Sequence, residues 1–88
     1  DKPAYACLAT RIASGEQITA EKLRAVEQSE DYLFSLGFTD FRVRQKDGTA
    51  KLQLPEAQWL RACEHRKEIL EELKKYYRAV TLDLEVRG

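Results

Sequence analysis

The chain has 88 residues, and its 15 lysines and arginines balance its 15 aspartates and glutamates, so the formal charge is zero. This balance argues against nucleic-acid binding through bulk charge, and no apolar run approaches the ~20 residues that a membrane span requires. A chain of this length supports one core and therefore one domain. It begins at Asp1 without a methionine, which indicates a domain cut from a longer protein.

The two cysteines, Cys7 and Cys63, lie far apart in the sequence and show no spacing typical of a metal site or a disulfide framework. We therefore expect reduced thiols in a cytoplasmic protein and no metal site. His65 has no second ligand at a metal spacing and is interpreted as a surface residue. Cys63 falls among apolar positions of a predicted helix and is expected in the core, as are Trp59 and Tyr77.

The first predicted element is a helix that follows an irregular segment. Residues 1–18 show no hydrophobic period and are interpreted as a loop or linker. Thr19 is a good N-cap and Gly37 can supply a left-handed C-cap, so the helix is expected between them. Its apolar stripe has helical spacing and consists of Leu23, Val26, Leu33 and Leu36.

Glu30 lies inside this apolar stripe. A buried carboxylate is costly unless it has a partner, and the sequence offers Arg66 or Arg42 as that partner. The alternative is a carboxylate at the edge of the stripe that bends towards solvent.

A β-hairpin is predicted next, because Phe41 and Val43 alternate with polar residues up to Asp47-Gly48, a dipeptide typical of tight turns. The alternation resumes after the turn and ends at Pro55, which suits the first turn of a second helix. That helix is expected to extend to Tyr77. A third strand follows, in which Val80, Leu82, Leu84 and Val86 alternate with polar residues.

This order of elements predicts an α+β fold of the αββαβ type, half of a ferredoxin-like domain, with two helices on one face of a small three-stranded mixed sheet. A right-handed crossover is expected to place the third strand parallel to the second and beyond the first, in the order 2-1-3. The other face of the sheet would be open and polar. It would carry Arg42, Arg44, Lys51, Gln53, Thr81, Asp83 and Glu85.

An ordered series of short blocks resembles a known family. The blocks are Ala6-Cys7-Leu8-Ala9-Thr10-Arg11-Ile12, Val26-Glu27-Gln28, Leu36-Gly37-Phe38, Phe41-Arg42-Val43-Arg44 and Val80-Thr81-Leu82-Asp83-Leu84-Glu85. In this order they resemble the C-terminal part of the ATP-dependent sacrificial sulfur transferases (the LarE family), which belong to the PP-loop ATP pyrophosphatases. The resemblance spans nearly the whole chain.

The resemblance implies that ATP and magnesium bind in an N-terminal PP-loop domain, which adenylates a carboxylate of a pyridinium mononucleotide for synthesis of a nickel-pincer cofactor. No phosphate-binding glycine loop occurs in these residues, so we expect no cofactor in this piece. Residues 1–18 would form an active-site loop between domains, and residues 19–88 a substrate and oligomerisation domain. The implied partners are the PP-loop domain of the same chain, the mononucleotide and further copies of the protein.

The resemblance also implies roles for individual residues. Cys7 matches the position whose sulfur passes to the substrate, which leaves dehydroalanine, and Arg11 would favour its thiolate form. Arg42 and Arg44 match a basic pair that would bind substrate anions. Glu30 matches an acidic position of the site, and Asp83 would give polar support.

Simpler interpretations of these residues stay open. Cys7 could merely pack, and Arg42 and Arg44 could be solvated side chains paired across the sheet with Asp83 and Glu85. The rival function is a non-catalytic oligomerisation domain of another PP-loop enzyme, an amidating ligase or a tRNA-modifying enzyme. The chain has Ala13-Ser14-Gly15 where the family usually has Pro-Tyr-Gly, which leaves the identity of the substrate open.

Overall fold

The computed structural model describes residues 11–12 and 15–85. Its elements are helix α1 (Ala20–Ser35), strands β1 (Arg42–Lys46) and β2 (Thr49–Gln53), a 3-10 turn (Glu56–Gln58), helices α2 (Trp59–Glu64) and α3 (Arg66–Leu73), and strand β3 (Ala79–Leu82). The predicted α+β class with a three-stranded mixed sheet is confirmed. Within the described ranges, every helix is too short or too polar to cross a membrane.

Both predicted ends of α1 are confirmed. The Thr19 hydroxyl accepts a hydrogen bond from the Lys22 N–H at 3.1 Å, as an N-cap does. At the other end Gly37 has φ +94°, and the Phe38 N–H donates to the Leu33 carbonyl at 3.1 Å. This is a Schellman motif, and it places the Phe38 ring in the core. Phe38 is only 1% exposed.

The Gly37→Ala variant tests this helix end. A residue with a Cβ in the left-handed region loses about 1–2 kcal/mol, and the new Cβ would lie 3.1 Å from Arg61 Nη1. We expect a drop of this size in the free energy of unfolding, measured with urea. Gln28→Ala, an exposed change on the same helix, is the control and should shift the free energy by less than about 0.5 kcal/mol. Equal effects of the two variants would contradict the assignment.

The predicted hairpin is also confirmed. Asp47 and Gly48 have φ values of +50° and +76°, the conformation of a two-residue type I′ turn. This turn fixes the antiparallel register, in which Arg42 lies opposite Gln53 and Arg44 opposite Lys51. The alternate residues of β1 point towards the helices, so Val43 and Gln45 are buried.

The strand order is 1-2-3, and the predicted order 2-1-3 is wrong. Strand β3 pairs in parallel directly with β2, which therefore lies in the centre of the sheet. The far edge of β1, where β3 was expected, carries a parallel bridge between Ile12 and Gln45 instead. The upstream segment thus occupies the edge that the prediction had given to β3.

The predicted second helix is divided, because His65 has φ −102° and ψ +17° between α2 and α3. The core prediction for Cys63 is wrong, since this cysteine is exposed. Ile69 and Leu73 form the buried face of α3, whereas Cys63 lies in α2 before the break at His65, so the helical spacing that grouped them in the sequence does not extend across the break. Strand β3 is shorter than predicted and ends at Leu82, so Leu84 is 77% exposed.

The core lies between the helices and one face of the sheet. Tyr77 belongs to it, as predicted, and Trp59 packs against it while partly exposed. The buried members are Leu33, Phe38, Phe41, Val43, Ala50, Leu52, Leu54, Ile69, Leu73 and Tyr77. The opposite face of the sheet is left for polar side chains.

Candidate functional site

A buried ion pair joins the segment before α1 to the helix. Arg11 Nε lies 3.1 Å from Glu30 Oε2 and Arg11 Nη2 lies 3.3 Å from Glu30 Oε1, so the guanidinium binds the carboxylate with two N–H groups. Glu30 Oε2 also accepts the Val43 N–H at 3.0 Å. The two side chains are only 9% and 5% exposed. Glu30 therefore links the upstream segment, α1 and β1.

The sequence correctly indicated that Glu30 needs a partner, but the carboxylate pairs with Arg11 and not with the suggested Arg66 or Arg42. Arg66 is exposed on α3. The Tyr77 ring is buried nearby, and this burial raises the pKa of its hydroxyl to about 12, with a further upward contribution from the Glu30 charge. The surroundings of Glu30 are thus poorly hydrated, which makes its bonds to Arg11 and Val43 costly to break.

The open face of the sheet carries a second polar cluster, which runs from β1 across β2 to the residue that follows β3. Arg44 Nε donates to Gln53 Oε1 at 3.0 Å, and Gln53 Nε2 donates to Asp83 Oδ2 at 3.1 Å. Gln53 thus bridges an arginine of β1 and a carboxylate beyond the end of β3. We call Arg42, Arg44, Lys51, Gln53 and Asp83 the open-face cluster.

The charges of this cluster are arranged differently from the prediction. Because β2 lies between β1 and β3, the backbones of β1 and β3 are about 10 Å apart, and Gln53 links Arg44 to Asp83. Hydrogen bonds from the Glu85 N–H and from Gln53 lower the pKa of Asp83, with a smaller contribution from the Lys51 ammonium, 4.0 Å away. Asp83 is therefore an anion at neutral pH beside a mainly basic surface.

The Arg11–Glu30 pair and the open-face cluster lie on the two sides of β1. Val43, whose N–H binds Glu30, lies between Arg42 and Arg44 in the strand. The Val43 side chain points to one face of the sheet, and the Arg42 and Arg44 side chains point to the other. The structure thus places Arg11 and Glu30 behind the strand and Arg42 and Arg44 in front of it. Cys7 lies outside the described residues, four positions before Arg11, so its predicted role stays a prediction.

The sequence analysis missed two polar residues, Gln45 and Glu16, and placed Gln53 on the open face without identifying its contacts. Gln45 is 5% exposed, and its position in the alternation of β1 is the signal that it points inward. Gln53 could have been paired with Arg42 from the two-residue turn alone, because that turn fixes the register. Glu16 accepts hydrogen bonds from the Gln45 side chain and from the Asp47 N–H. No local sequence pattern predicts these contacts, because the partners lie about 30 residues apart.

Of the predicted site residues that the structure describes, none lines either of two grooves on the surface. A groove of about 580 Å³ lies between the start of α1, the hairpin turn and the end of α3. A smaller apolar groove of about 280 Å³ lies beside β3 and contains Cys63. The open-face cluster therefore lies outside both of these grooves. In the described part of the chain, no group of three or more candidate metal ligands comes together.

Comparison with known proteins shows two relatives, while no protein-family profile matches. An uncharacterized protein of Synechocystis sp. is 47% identical over 58 residues, which is 66% of this chain and 22% of that protein. The pyridinium-3,5-bisthiocarboxylic acid mononucleotide synthase of Lactiplantibacillus plantarum is 33% identical over 85 residues, which is 96% of this chain and 31% of that enzyme. The chain thus spans about a fifth to a third of the curated relatives it matches.

Proposed function

We propose that this chain is the C-terminal domain of an ATP-dependent PP-loop sulfurtransferase that passes sulfur to a pyridinium dicarboxylate mononucleotide for nickel-pincer cofactor synthesis. One observation carries the proposal: the chain is similar to a pyridinium-3,5-bisthiocarboxylic acid mononucleotide synthase over 96% of its length. The match covers 85 of the 88 residues, so a segment that reaches from either end of the chain to Cys7 is too long to lie outside it. The similarity supports the same family that the sequence blocks indicated.

In the proposed reaction, a substrate carboxylate attacks the α-phosphate of ATP in the PP-loop domain and releases pyrophosphate. The Cys7 thiolate then attacks the acyl carbon, and AMP leaves with the electron pair of the broken C–O bond. A base removes the Cα proton of Cys7, and the Cβ–S bond breaks with its electron pair on sulfur. The product carries a thiocarboxylate, and dehydroalanine stands at position 7.

The open-face cluster is proposed to hold the anionic groups of the mononucleotide. Arginine forks suit planar recognition of carboxylate and phosphate, and the Gln53 bridge holds Arg44 in position beside Asp83. We propose that the PP-loop domain or a second copy of the protein covers the open-face cluster. We place this assembly in the cytoplasm, with ATP and magnesium bound by the PP-loop domain.

The proposal is tested by intact mass spectrometry of the full-length protein after turnover with ATP, magnesium and the pyridinium dicarboxylate mononucleotide. We expect a loss of about 34 mass units, that of hydrogen sulfide, at Cys7, in contrast to the mass gains of thiol oxidation. An unchanged mass with product formed would mean that the sulfur comes from elsewhere. Failure to form any product would favour the non-catalytic oligomerisation domain, which gel filtration would then address.

Arg44→Ala tests the role of the open face. A hydrogen bond to a charged group contributes about 1.5–3 kcal/mol, so the mononucleotide concentration that gives half of the maximal single-turnover rate should rise about 10- to 100-fold, while the maximal rate changes little. Single-turnover kinetics of the full-length protein measures both quantities, because each Cys7 gives its sulfur once. Arg24→Ala, an exposed change on α1 behind the sheet, is the matched control. A half-saturating concentration within about twofold of the wild-type value would rule out a substrate contact by Arg44.

A further inference from the structure

The two edges of the sheet differ. The edge of β1 carries the parallel bridge between Ile12 and Gln45. Strand β3 forms the other edge, and no described strand pairs with its outer side. An edge of this kind presents unpaired N–H and C=O groups to any extended chain that approaches it. The outer side of β3 is therefore a candidate surface for the addition of a further strand.

The hydrogen bonds between β2 and β3 determine which residues of β3 face this open edge. The Asp83 N–H donates to the Leu52 carbonyl at 2.9 Å, and the two-residue hairpin leaves the Leu52 backbone facing β3. Alternate residues of a parallel strand direct both backbone groups to the same neighbour. The residues in step with Asp83 therefore bond to β2, and Val80 and Leu82 direct their N–H and C=O groups outward.

The side chains of β3 divide between the two faces of the sheet. Val80 and Leu82 pack against the core on the helix side while partly exposed, and Thr81 between them is exposed on the open face. The apolar groove of about 280 Å³ lies on the helix side of this strand, where Leu70 of α3 and Val80 both line it. The open edge is thus accompanied by apolar surface.

Strand β3 carries none of the features that usually keep a second strand away from an edge. Such features are charged residues, proline, a bulge or marked shortening of the strand. The four residues Ala79–Leu82 include neither a charge nor a proline, and β3 is one residue shorter than β1 and β2. The formal charge of the chain is zero, so two copies of it do not repel each other through net charge. The edge is therefore compatible with a second copy of itself.

We propose that β3 pairs antiparallel with β3 of a second copy of the chain, about a two-fold axis at Thr81. In this register Val80 of each copy lies opposite Leu82 of the other, and each of these outward-facing pairs exchanges two N–H···O=C bonds. Thr81 lies opposite Thr81 of the second copy on the open face, and threonine pairs across strands are favourable. Asp83 lies opposite Ala79, so the register opposes no like charges.

The pairing joins the two sheets into one continuous sheet. Because the axis is perpendicular to the sheet, the helices of both copies lie on one side and the two open-face clusters on the other. The apolar groove of each copy then runs up to the axis, where the pairs of Val80 with Leu82 bury apolar surface that is partly exposed in the single chain. This assembly follows from the sheet alone and does not depend on sulfur transfer.

A disulfide between two copies of residue 81 tests the pairing. The Cα atoms of a non-hydrogen-bonded antiparallel pair are about 4.5 Å apart, within the range of a disulfide, so Thr81→Cys should cross-link to itself. The full-length protein also carries Cys63→Ser, because Cys63 is exposed. Glu85→Cys is the matched control, since Glu85 is exposed but its two copies lie on opposite sides of the axis. After mild oxidation, mass spectrometry of the linked peptides measures the fraction joined through each position.

We expect more than about half of the Thr81→Cys chains to be joined through residue 81, against less than about a tenth of the Glu85→Cys chains. Adding Val80→Pro removes an outward N–H from each copy and leaves the bonds to β2 in place. The initial rate of cross-linking should therefore fall about tenfold or more. Should this variant fail to fold, as judged by circular dichroism, the comparison of Thr81→Cys with Glu85→Cys decides.

Equal cross-linked fractions for Thr81→Cys and Glu85→Cys would overturn the inference. A disulfide from residue 81 to another part of the same chain would also overturn it, because a different segment would then cover the edge. Turnover of the wild-type protein tests the proposed function separately. Cross-linking without sulfur transfer would support the pairing and refute the proposed function, and sulfur transfer without cross-linking would do the reverse.

Discussion

Replacing Glu30 by alanine is expected to lower the free energy of unfolding of the domain by about 3–5 kcal/mol. The change leaves the Arg11 guanidinium buried without its carboxylate and removes the acceptor of the Val43 N–H. Loss of the partner of a buried charge is among the most destabilising effects of a single substitution. Urea unfolding followed by circular dichroism measures the difference.

Two further variants make this prediction specific. Glu27→Ala, one turn earlier on α1, should change the free energy of unfolding by less than about 0.5 kcal/mol. The double variant Arg11→Met with Glu30→Leu removes both charges together and should recover much of the loss, because an apolar pair of similar volume often replaces a buried ion pair. If Glu30→Ala cost less than about 1 kcal/mol, the pair would not be a structural link.

Replacing Cys7 by serine is expected to abolish sulfur transfer, with a fall in product formation of at least about a thousandfold. A hydroxyl is a much weaker nucleophile than a thiolate at neutral pH, and it contains no sulfur to give. Neither thiocarboxylate product nor mass loss should be found after incubation with ATP and the mononucleotide. Adenylation, measured as ATP–pyrophosphate exchange, should continue because the PP-loop domain is unchanged.

Cys63→Ser is the matched control for this variant. Cys63 is the exposed cysteine of α2, and its substitution should leave both the product and the mass loss at wild-type levels. Product formation by Cys7→Ser at more than about a tenth of the wild-type rate would show that the sulfur has another source. The assignment of Cys7 as donor would then be abandoned.

Local signals in the sequence predicted the parts of the fold that depend on neighbouring residues. Thr19 and Gly37 marked the ends of α1 because capping uses hydrogen bonds within one turn of the helix. Asp47-Gly48 marked the hairpin because both residues readily adopt positive φ. The strand order depended on contacts distant in sequence, since Ile12 occupies the edge of β1. The division of the second helix at His65 had no signal that we recognised.

In the candidate site, too, the sequence predicted which side chains are buried or exposed but not which distant residues they contact. Burial of Glu30 followed from its place in the apolar stripe, but its partner Arg11 lies 19 residues away in a segment without hydrophobic period. The open-face side chains followed from strand alternation, whereas the Gln53 bridge to Asp83 required the correct strand order. Periodicity identifies the face on which a side chain lies, and long-range pairing decides what it meets there.

The contacts of the hairpin turn make it a poor site for tags or insertions. A two-residue turn at the surface is ordinarily a good site for an affinity tag, a fluorophore or a new chain terminus. Here the Asp47 N–H binds Glu16, the Asp47 carbonyl accepts from the Arg78 guanidinium, and the Gly48 carbonyl accepts the Arg78 N–H at 2.7 Å. An insertion between Asp47 and Gly48 would separate the upstream segment from the entry to β3, so labels belong on the exposed side of α2 instead.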